Sequence, residues 1–273
     1  MSLQFHLIWN DADAWLKGQV VSLSEALMSR NKALMESIFY HHPKAQVNVY
    51  SNTLPKNYYS QFEKRGFALK VVRFDILDWA KDTPAEGSVM TLKDWSKEKD
   101  WVINLSDLLR LLILFKEGGV YLDFTDTLVL QPLNQLVNAI GWEHHGYLGT
   151  GVMKFEKGFG FIEKCIEEYF ENYNSEVWAN QGPILITRTY EKEGFLLNID
   201  FPVSTFYPIH WKKSSLFYYS NHISEELTAQ LIRQISDNTI VLHYYGTSQK
   251  MENKSPDAQS VLGYFLGKYK VLS

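Results

Sequence analysis

The distribution of apolar and polar positions predicts short strands and helices that follow one another along the chain. Residues 5–9 and 46–50 have the short apolar pattern of β-strands, and residues 24–39 carry apolar side chains at helical spacing. A helix at 56–64 and a strand at 68–74 continue the series. Alternation of this kind favours parallel pairing and right-handed crossovers. We therefore predict an α/β fold with a mostly parallel central sheet flanked by helices.

A stretch in the middle of the chain has the pattern of a buried helix. Residues 108–115 are apolar on nearly every side, which is typical of a core helix. Ser106 is placed to cap this helix, and Asp107 then falls in the first turn, where the helix dipole favours a negative charge. Gly118 and Gly119 supply a left-handed stop. We predict that the fold is organised around this helix and the segment after it.

Two carboxylates follow that helix. Residues 120–122 are β-prone, and Asp123 and Asp126 come after them in a loop. Open α/β sheets bind ligands at the carboxyl ends of their strands. Two loop carboxylates can also hold a hard divalent cation, although aspartate pairs of this kind are common on protein surfaces. The sequence therefore directs the search for a site to this loop.

The rest of the chain continues the alternation without an internal repeat or a linker, so we predict one domain over residues 1–273. The expected segments are a polar loop and lid at 82–101, strands at 128–133, 149–155 and 239–244, helices at 160–173 and 223–235, a helix that begins at Pro183, and an aromatic loop at 201–211. Four histidines without a motif around them are assigned to the surface: His41, His42, His144 and His145.

Composition narrows the classes of function. Hydrophobic residues make up 45% of the 273 residues and charged residues 21%, which suits a sizeable core. A net charge of -4 gives no basic excess, so nucleic acid is not expected as a partner. The single cysteine, Cys165, excludes an internal disulfide framework. Neither a signal peptide nor an apolar run of roughly 20 residues is visible, which favours a cytoplasmic protein whose membrane association is at most peripheral.

Two charged residues lie one turn apart on the apolar central helix. Asp107 and Arg110 must both find partners if they are buried there. In one interpretation they form a structural pair in which each satisfies the other. In the other, both hold the hydroxyls or phosphates of a bound sugar nucleotide. The residues alone leave these alternatives open.

Several ordered motifs resemble glycosyltransferase family 32, in particular its α-1,4-galactosyl and α-1,4-N-acetylglucosaminyl branch. The similarity covers residues 5–250, most of the chain. The residues that carry it are Ser106, Asp107 and Arg110, the run 118–123, the block 178–188, the run 206–209 and the run 241–245. The resemblance implies a single-domain nucleotide-diphospho-sugar transferase fold of type A. It also implies a retaining reaction on a UDP-sugar with Mn²⁺, or Mg²⁺ in its place.

The chain departs from the family in its metal-binding motif. The family pattern is Asp-any-Asp, and this sequence has Asp123, then Thr125 where the second aspartate is expected, then Asp126. The downstream run 130–133 is shifted by one residue as well, which indicates an insertion in the loop. We therefore expect Asp126 to take the second aspartate's place.

The resemblance also assigns roles to residues outside that loop. Asp123, Asp126 and His243 are the expected metal ligands, because manganese accepts imidazole beside carboxylate oxygens. The expected donor-binding residues are Trp9, Asn10, Ser106, Asp107, Arg110, Tyr121, Asp123 and Lys250. Trp9 and Asn10 would lie near the uracil base, and a core position is the alternative for Trp9.

Asn180 and Gln181 correspond to the block that lines the far side of the sugar, and with Asp123 they are the predicted catalytic residues. Neither amide is a good nucleophile, which favours attack by the acceptor from the same face as the departing UDP. The aromatic run 206–211 is a candidate wall on the acceptor side.

The activity that this resemblance implies is transfer of galactose or N-acetylglucosamine to a hydroxyl of a glycan or glycolipid, in the synthesis of a capsule or lipo-oligosaccharide. Two alternatives remain open from the sequence. One is a toxin-like transferase that modifies a host protein. The other is a degenerate module that binds glycans or nucleotides without catalysis, because the carboxylate motif is altered.

Overall fold

The computed structural model describes residues 2–92, 95–98, 100–144, 146–194, 197–246, 251 and 253–272. Its strands are β1 (Gln4–Ile8), β2 (Gln46–Tyr50), β3 (Ala68–Val72), β4 (Gly119–Leu122), β5 (Thr127–Val129), β6 (Ala139–Trp142), β7 (Leu148–Phe155) and β8 (Val241–His243). Its helices are α1 (Ala12–Leu16), α2 (Glu25–His41), α3 (Ser60–Glu63), α4 (Ile76–Ala80), α5 (Trp101–Glu117), α6 (Gly160–Glu171), α7 (Leu185–Glu193), α8 (Glu225–Asn238) and α9 (Val261–Lys268).

The described strands form a six-stranded sheet in the order β3-β2-β1-β4-β7-β6. The pairs β3·β2, β2·β1 and β1·β4 are parallel, and β4·β7 and β7·β6 are antiparallel. The predicted mostly parallel α/β sheet is thus confirmed. The carboxyl ends of β1 and β4 open on the same edge of this sheet.

Both faces of the sheet are covered, which is why its central strands are apolar on both sides. On one face, Val120 and Leu122 of β4 pack with α2 and with the C-terminal segment in one core cluster. On the other face, Tyr121 packs with α5 and α6 in a second cluster. The alternation along β4 therefore places Tyr121 on the α5 side, where the charged residues of that helix lie.

A second sheet brings a distant part of the chain to the site. Strands β5 and β8 pair antiparallel, with Thr127 opposite His243. The backbone N–H of Tyr244 donates to the carbonyl of Asp126 over 2.8 Å. The loop that carries Asp123 and Asp126 is in this way tied to the strand that carries His243.

The start of α5 differs from the prediction. The helix begins at Trp101 after Asp100, so Ser106 lies inside it and does not cap it. The reason is that the helix extends upstream through Trp101, whose ring packs edge-on against Trp15 at 5.4 Å. Of the predicted lid, residues 88–92 and 95–97 form short 3₁₀ turns, and residues 93, 94 and 99 lie outside the described part.

The prediction that His42 lies on the surface is wrong. His42 follows α2, is only 6% exposed, and its Nε2 accepts a hydrogen bond from the Leu133 backbone N–H over 3.2 Å. Its position at the helix end, between α2 and the segment after β5, requires a buried polar partner for that amide. His145 lies outside the described residues.

Candidate active site

Asp123 is the point at which the elements of the site meet. It follows β4 directly, and its backbone N–H donates to the Gly151 carbonyl of β7 over 2.9 Å. Its carboxylate accepts a hydrogen bond from the Tyr121 hydroxyl over 3.1 Å and lies 3.1 Å from His243 Nε2. The Asp123 side chain is 31% exposed, so a ligand can reach this carboxylate.

The charges around Asp123 hold it ionised. Burial favours the neutral acid, but the hydrogen bond from His243 and the Arg110 guanidinium outweigh it and lower the pKa of Asp123 to about 2. Burial lowers the pKa of His243, yet the hydrogen bond and the charge of Asp123 leave it raised. The two groups therefore stabilise each other, the carboxylate in its ionised form and the imidazole in its protonated form.

Arg110 joins this carboxylate to the central helix. Its Nη2 lies 3.0 Å from Asp107 Oδ1, and its Nη1 lies 3.6 Å from Asp123 Oδ1 and donates to the Thr150 carbonyl over 2.9 Å. The guanidinium also lies over the Tyr121 ring, 4.6 Å from the ring centre. The Arg110 fork is thus fixed by groups from α5, β4 and β7 at once.

Asp107 is a buried member of the ion-pair network formed by Asp107, Arg110 and Asp123. It is 6% exposed, and burial raises its pKa to about 6 although Arg110 lowers it. The carboxylate also faces Gly182, where an added Cβ would lie 3.2 Å from both carboxylate oxygens. These contacts show a structural Asp107–Arg110 pair. A direct contact of this pair with a ligand stays a prediction.

Asp126, three positions after Asp123, lies close to a second buried cation. Arg30 of α2 is 1% exposed and donates to the Tyr218 hydroxyl over 2.6 Å. A Cβ added to Gly246 would meet Arg30 Nη1, the Tyr218 hydroxyl and Asp126 Oδ1, all within 3 Å. The negative charge of Asp126 acts on both Arg30 and His243. Asp126 is thus close to Arg30 and within electrostatic reach of His243.

The donor groups at this edge suit a divalent cation in part. Asp123 Oδ2 and His243 Nε2 converge, and carboxylate with imidazole is a set that Mn²⁺ accepts. Among the described residues, no group of three His, Cys, Asp or Glu side chains is arranged to hold a metal ion. The protein therefore offers two convergent ligands, and Asp126 as the third stays a prediction.

Asn180 and Gln181 are both buried, and their amides bond within the protein. Gln181 Nε2 donates to the Tyr169 carbonyl over 2.9 Å, and its Oε1 accepts from the Asn174 N–H over 3.2 Å and from Asn180 Nδ2. Asn180 Nδ2 also donates to the Asn172 carbonyl. These contacts fix the turn between α6 and α7, and a role of either amide at the sugar stays a prediction.

The predicted base-binding residues lie at the end of β1. Trp9 packs against Phe124, the residue after Asp123, with ring centres 5.9 Å apart. Asn10 Oδ1 accepts a hydrogen bond from the Asn52 N–H over 2.7 Å. Both residues are partly exposed, and Trp9 borders the Asp123 loop through Phe124. Ser106 Oγ accepts from Arg110 Nη2 over 3.4 Å, and Lys250 lies outside the described residues.

Three further residues line the site, and the sequence analysis did not single them out. The Tyr245 ring lies edge-on to the His243 ring at 4.4 Å, and the Tyr245 hydroxyl donates to Glu143 Oε2 over 2.9 Å. The Tyr207 ring lies 5.3 Å from that of His243. Tyr207 and Tyr245 fall in two runs that carried the family resemblance, which was the available signal. No signal distinguished Glu143.

Two glycines on β7 make room for these side chains. Gly149 and Gly151 are two positions apart and so share a face of the strand. A Cβ on Gly151 would lie 2.7 Å from His243 Nε2 and 2.9 Å from Asp123 Oδ2. A Cβ on Gly149 would lie within 3 Å of the Tyr207 hydroxyl and Glu143. Backbone alone therefore forms this part of the floor of the site.

Solved structures share this architecture. The PaToxG glycosyltransferase aligns over 97% of this chain and 87% of its own, with a TM-score of 0.50 and 17% identity. The apo-form glycosyltransferase GlyE of Streptococcus pneumoniae aligns over 98% of this chain and 60% of its own, with a TM-score of 0.54 and 10% identity. Together with the carboxylate at the end of β4, this likeness defines the fold of a GT-A glycosyltransferase.

Two family models match in succession. The glycosyltransferase sugar-binding region containing the DXD motif matches residues 29–142, and the alpha 1,4-glycosyltransferase conserved region matches residues 154–269. The first match includes Asp107, Arg110 and Asp123, and the second includes Tyr207 and His243. The two matches identify a glycosyltransferase of the alpha-1,4-galactosyl or alpha-1,4-N-acetylglucosaminyl transferase type with a DXD region.

Curated relatives agree with that assignment. The mouse lactosylceramide 4-alpha-galactosyltransferase is 26% identical over 253 residues, which are 86% of this chain and 68% of the relative. The human alpha-1,4-N-acetylglucosaminyltransferase is 34% identical over 135 residues, 45% of this chain and 39% of the relative. An uncharacterised Arabidopsis thaliana protein is 28% identical over 97% of this chain, which spans 41% of that protein.

Among the helices that the structure describes, α2 and α5 are the longest at 17 residues each, and none has the length and apolar character of a membrane span.

Proposed function

We propose that this glycosyltransferase moves galactose or N-acetylglucosamine from a UDP-sugar to a hydroxyl of a glycan or glycolipid, with retention of configuration. The names of its relatives support this choice, since they include a 4-alpha-galactosyltransferase and an alpha-1,4-N-acetylglucosaminyltransferase. The observation that carries the proposal is the convergence of Asp123, His243 and Arg110 at the carboxyl end of β4.

Asp123 and His243, with Asp126, are the residues proposed to hold Mn²⁺, or Mg²⁺ in its place. The ion, when bound to these residues and to the diphosphate, supplies Lewis-acid stabilisation of the departing phosphate oxygen. The low pKa of Asp123 supports this role, because the carboxylate is ionised and ready to bind throughout the neutral range. Trp9 and Asn10, at the end of β1, are proposed to border the base.

Arg110 and Asp107 are proposed to orient the donor sugar and its diphosphate. The guanidinium is fixed by Asp107, the Thr150 carbonyl and the Tyr121 ring, so it need not reorganise when negative charge develops on the leaving group. Ser106 and Tyr121 hold Arg110 and Asp123 in place through their hydroxyls.

The proposed transfer proceeds by attack from the same face. The acceptor oxygen forms a bond to the anomeric carbon, and the bond from that carbon to the phosphate oxygen breaks with its electron pair left on UDP. The proton of the acceptor hydroxyl passes to the departing phosphate oxygen. Gln181 could stabilise the positive charge on the sugar through Oε1 only after that oxygen gives up the hydrogen bonds it accepts from the Asn174 N–H and Asn180 Nδ2. A glycosyl adduct isolated on a side chain would contradict this course.

The biological setting is also part of the proposal. We assign the reaction to the synthesis of a surface glycan such as capsule or lipo-oligosaccharide, on the cytoplasmic side, with peripheral contact to the membrane. A single cysteine suits a reducing compartment.

The test is to incubate the protein with Mn²⁺ or Mg²⁺ and a panel of UDP-sugars, and to measure released UDP. We expect metal-dependent release with UDP-galactose or UDP-N-acetylglucosamine. Saccharide and protein acceptors offered in parallel separate glycan transfer from the toxin-like alternative, and NMR of the product reads its anomeric configuration. Absence of both UDP release and metal-dependent UDP binding would leave only the degenerate module.

A further inference from the structure

The end of β6 carries a carboxylate that is connected to the site through two rings. Glu143 follows Trp142, the last residue of that strand. Its Oε2 accepts a hydrogen bond from the Tyr245 hydroxyl over 2.9 Å, and the Tyr245 ring lies edge-on to the His243 ring at 4.4 Å. His243 in turn contacts Asp123. Glu143 therefore belongs to the same continuous network as Asp123.

The position of Glu143 separates it from the end of the site assigned to the nucleotide. In the sheet order β1-β4-β7-β6, strand β6 lies three strands from β1, which is about 14 Å at the usual strand spacing. Trp9 and Asn10 are at the β1 end, and Arg110 contacts groups of β4 and β7 between the two ends. The Glu143 side chain is partly exposed, so it borders the opening on the β6 side.

The chemistry of this carboxylate suits an uncharged, hydroxyl-rich ligand. An ionised carboxylate only accepts hydrogen bonds, and it repels the negatively charged diphosphate. A saccharide offers hydroxyl donors without charge. Glu143 is therefore matched to a sugar hydroxyl and poorly matched to the phosphate half of the donor.

A series of rings continues outward from Glu143. The His144 Nε2–H donates to the Tyr207 carbonyl over 2.8 Å, the His144 ring lies 5.0 Å from that of His210, and the His210 ring stacks on Trp211 at 6.0 Å. His144 is exposed, and His210 and Trp211 are partly exposed. Rings of this kind present apolar faces with polar edges, a surface on which the C–H faces of a sugar can pack.

We propose that Glu143 is a binding residue for the acceptor saccharide. Its carboxylate accepts a hydrogen bond from an acceptor hydroxyl, Tyr245 fixes the carboxylate through its own hydroxyl, and His144, His210 and Trp211 form the wall against which the saccharide packs. Glu143 takes no proton in this role. The proposal rests on the proposed function, since it names the residue that places the second substrate at that same site.

The experiment compares Glu143→Gln with Glu156→Gln in the full chain. Glu156 follows β7 at the opposite end of the same hairpin and is exposed, where it accepts a hydrogen bond from Asn138. Each variant is assayed with UDP-galactose and Mn²⁺, with para-nitrophenyl β-lactoside in one arm and lactosylceramide in detergent micelles in the other. Transfer to the acceptor and release of UDP to water are measured separately.

We expect Glu143→Gln to lower the ratio of transfer to hydrolysis about tenfold and to raise the acceptor KM by a similar factor, the scale of a hydrogen bond to a charged group. Tyr245→Phe leaves the carboxylate in place and should give a smaller loss of the same kind. Glu156→Gln should match the unaltered protein. A lower ratio with both acceptors assigns the Glu143 contact to the saccharide itself. A lower ratio with the lactosylceramide micelles alone would contradict this assignment.

Equal ratios in Glu143→Gln and Glu156→Gln would overturn the proposal, as would transfer to protein acceptors alone. Failure of the proposed function has a different signature, since the unaltered protein would then release no UDP from any donor.

Discussion

The imidazole of His243 lies 3.1 Å from the carboxylate of Asp123, although 120 positions separate them in the chain. The pairing of Thr127 with His243 between β5 and β8 creates this proximity. The ionised carboxylate and the imidazole converge at the edge of the sheet. Together they are ligands suited to a divalent cation that would bind a diphosphate.

Asp123→Asn should therefore remove the metal-dependent chemistry while keeping the shape of the side chain. We expect UDP release to fall about hundredfold, the loss typical of removing one electrostatic group from an active site. UDP binding in the presence and absence of Mn²⁺, measured by calorimetry, checks whether the loss tracks the metal. Asp237→Asn, on the exposed side of α8, is the control and should change neither quantity. Undiminished Mn²⁺-dependent binding in Asp123→Asn would contradict the assignment.

Substitutions at Asp126, Thr125 and Arg30 can show which side chain binds Mn²⁺ and whether Asp126 instead stabilises the buried Arg30. If Asp126 is a metal ligand, Asp126→Asn should weaken Mn²⁺ binding about tenfold, and Thr125→Val should leave it within about twofold. Asp126→Asn should also destabilise the fold by roughly 3 kcal/mol, because it removes negative charge from beside the buried Arg30 guanidinium. The double variant Arg30→Met with Asp126→Asn should recover stability without recovering Mn²⁺ affinity. Full Mn²⁺ affinity in that double variant would show that Asp126 serves Arg30 alone.

Arg110→Lys should be costly although the charge is kept. A lysine ammonium is a point charge and cannot reach Asp107, Asp123 and the Thr150 carbonyl at once as the guanidinium does. We expect the free energy of unfolding to fall by about 1–3 kcal/mol, measured with urea, and UDP-sugar binding to weaken. Arg65→Lys is the matched control, since Arg65 is exposed and its Nη2 donates to the Leu272 carbonyl. Equal effects at the two positions would argue against a special role of the fork.

Stability should fall in acid partly through His6. Burial lowers the pKa of His6 to about 4, even though its hydrogen bond with the Gly118 carbonyl opposes this. Because the folded value lies below the unfolded value of about 6.5, the unfolded chain binds the extra proton between these limits. The stabilisation is complete above about pH 6.5 and is lost at about 1.4 kcal/mol per pH unit as the pH falls toward 4. Urea unfolding of His6→Gln from pH 7.5 to 4.5 should show a shallower loss than the unaltered chain. His222→Gln, at an exposed position, should keep the original slope, and identical slopes in all three proteins would contradict the prediction.

Gly151→Ala tests the close approach of β7 to the site. The added methyl group would crowd His243 Nε2 and Asp123 Oδ2, so we expect a loss of about 1–3 kcal/mol and weakened Mn²⁺ binding. Gly267→Ala is the opposite case, because nothing lies within 4 Å of the added atom and the residue is in α9. That control should be neutral or more stable by about 0.5–1 kcal/mol. Thermal unfolding of both variants checks the contrast. Unchanged stability of Gly151→Ala would contradict the prediction and would show that β7 shifts to accommodate the methyl group.

Sequence patterns predicted those parts of the fold whose causes are local. Helix α2 begins where Ser24 caps it, with the Leu27 N–H donating to Ser24 Oγ, and strands β1 and β2 lie close to the predicted ranges. The start of α5 was misplaced, because the ring contact of Trp101 with Trp15 extends the helix and that contact is long-range. Strand β6 was missed since it has only four residues and is defined by its pairing with β7.

The site residues also divide into those that the sequence predicted and those that depend on long-range contacts. The pattern and the family resemblance identified Asp107, Arg110, Asp123 and His243, and the structure brings all four into one network. Glu143 could not be found, because its contact with Tyr245 spans 102 positions and no local motif surrounds it. The internal bonding of Gln181 was equally invisible, since two of its partners are the backbone groups of Asn174 and Tyr169, 7 and 12 positions upstream.

The two glycines of β7 have a consequence for how this protein can diversify. Beneath Asp123 and Glu143 the strand contributes backbone only, which is the same whatever sugar lies above it. The side chains that give the opening its contour come instead from the end of β6 and from the segments around Tyr207 and Tyr245. New sugar preferences can therefore arise by substitutions in these connecting segments while the sheet that holds Asp123 in register stays unaltered.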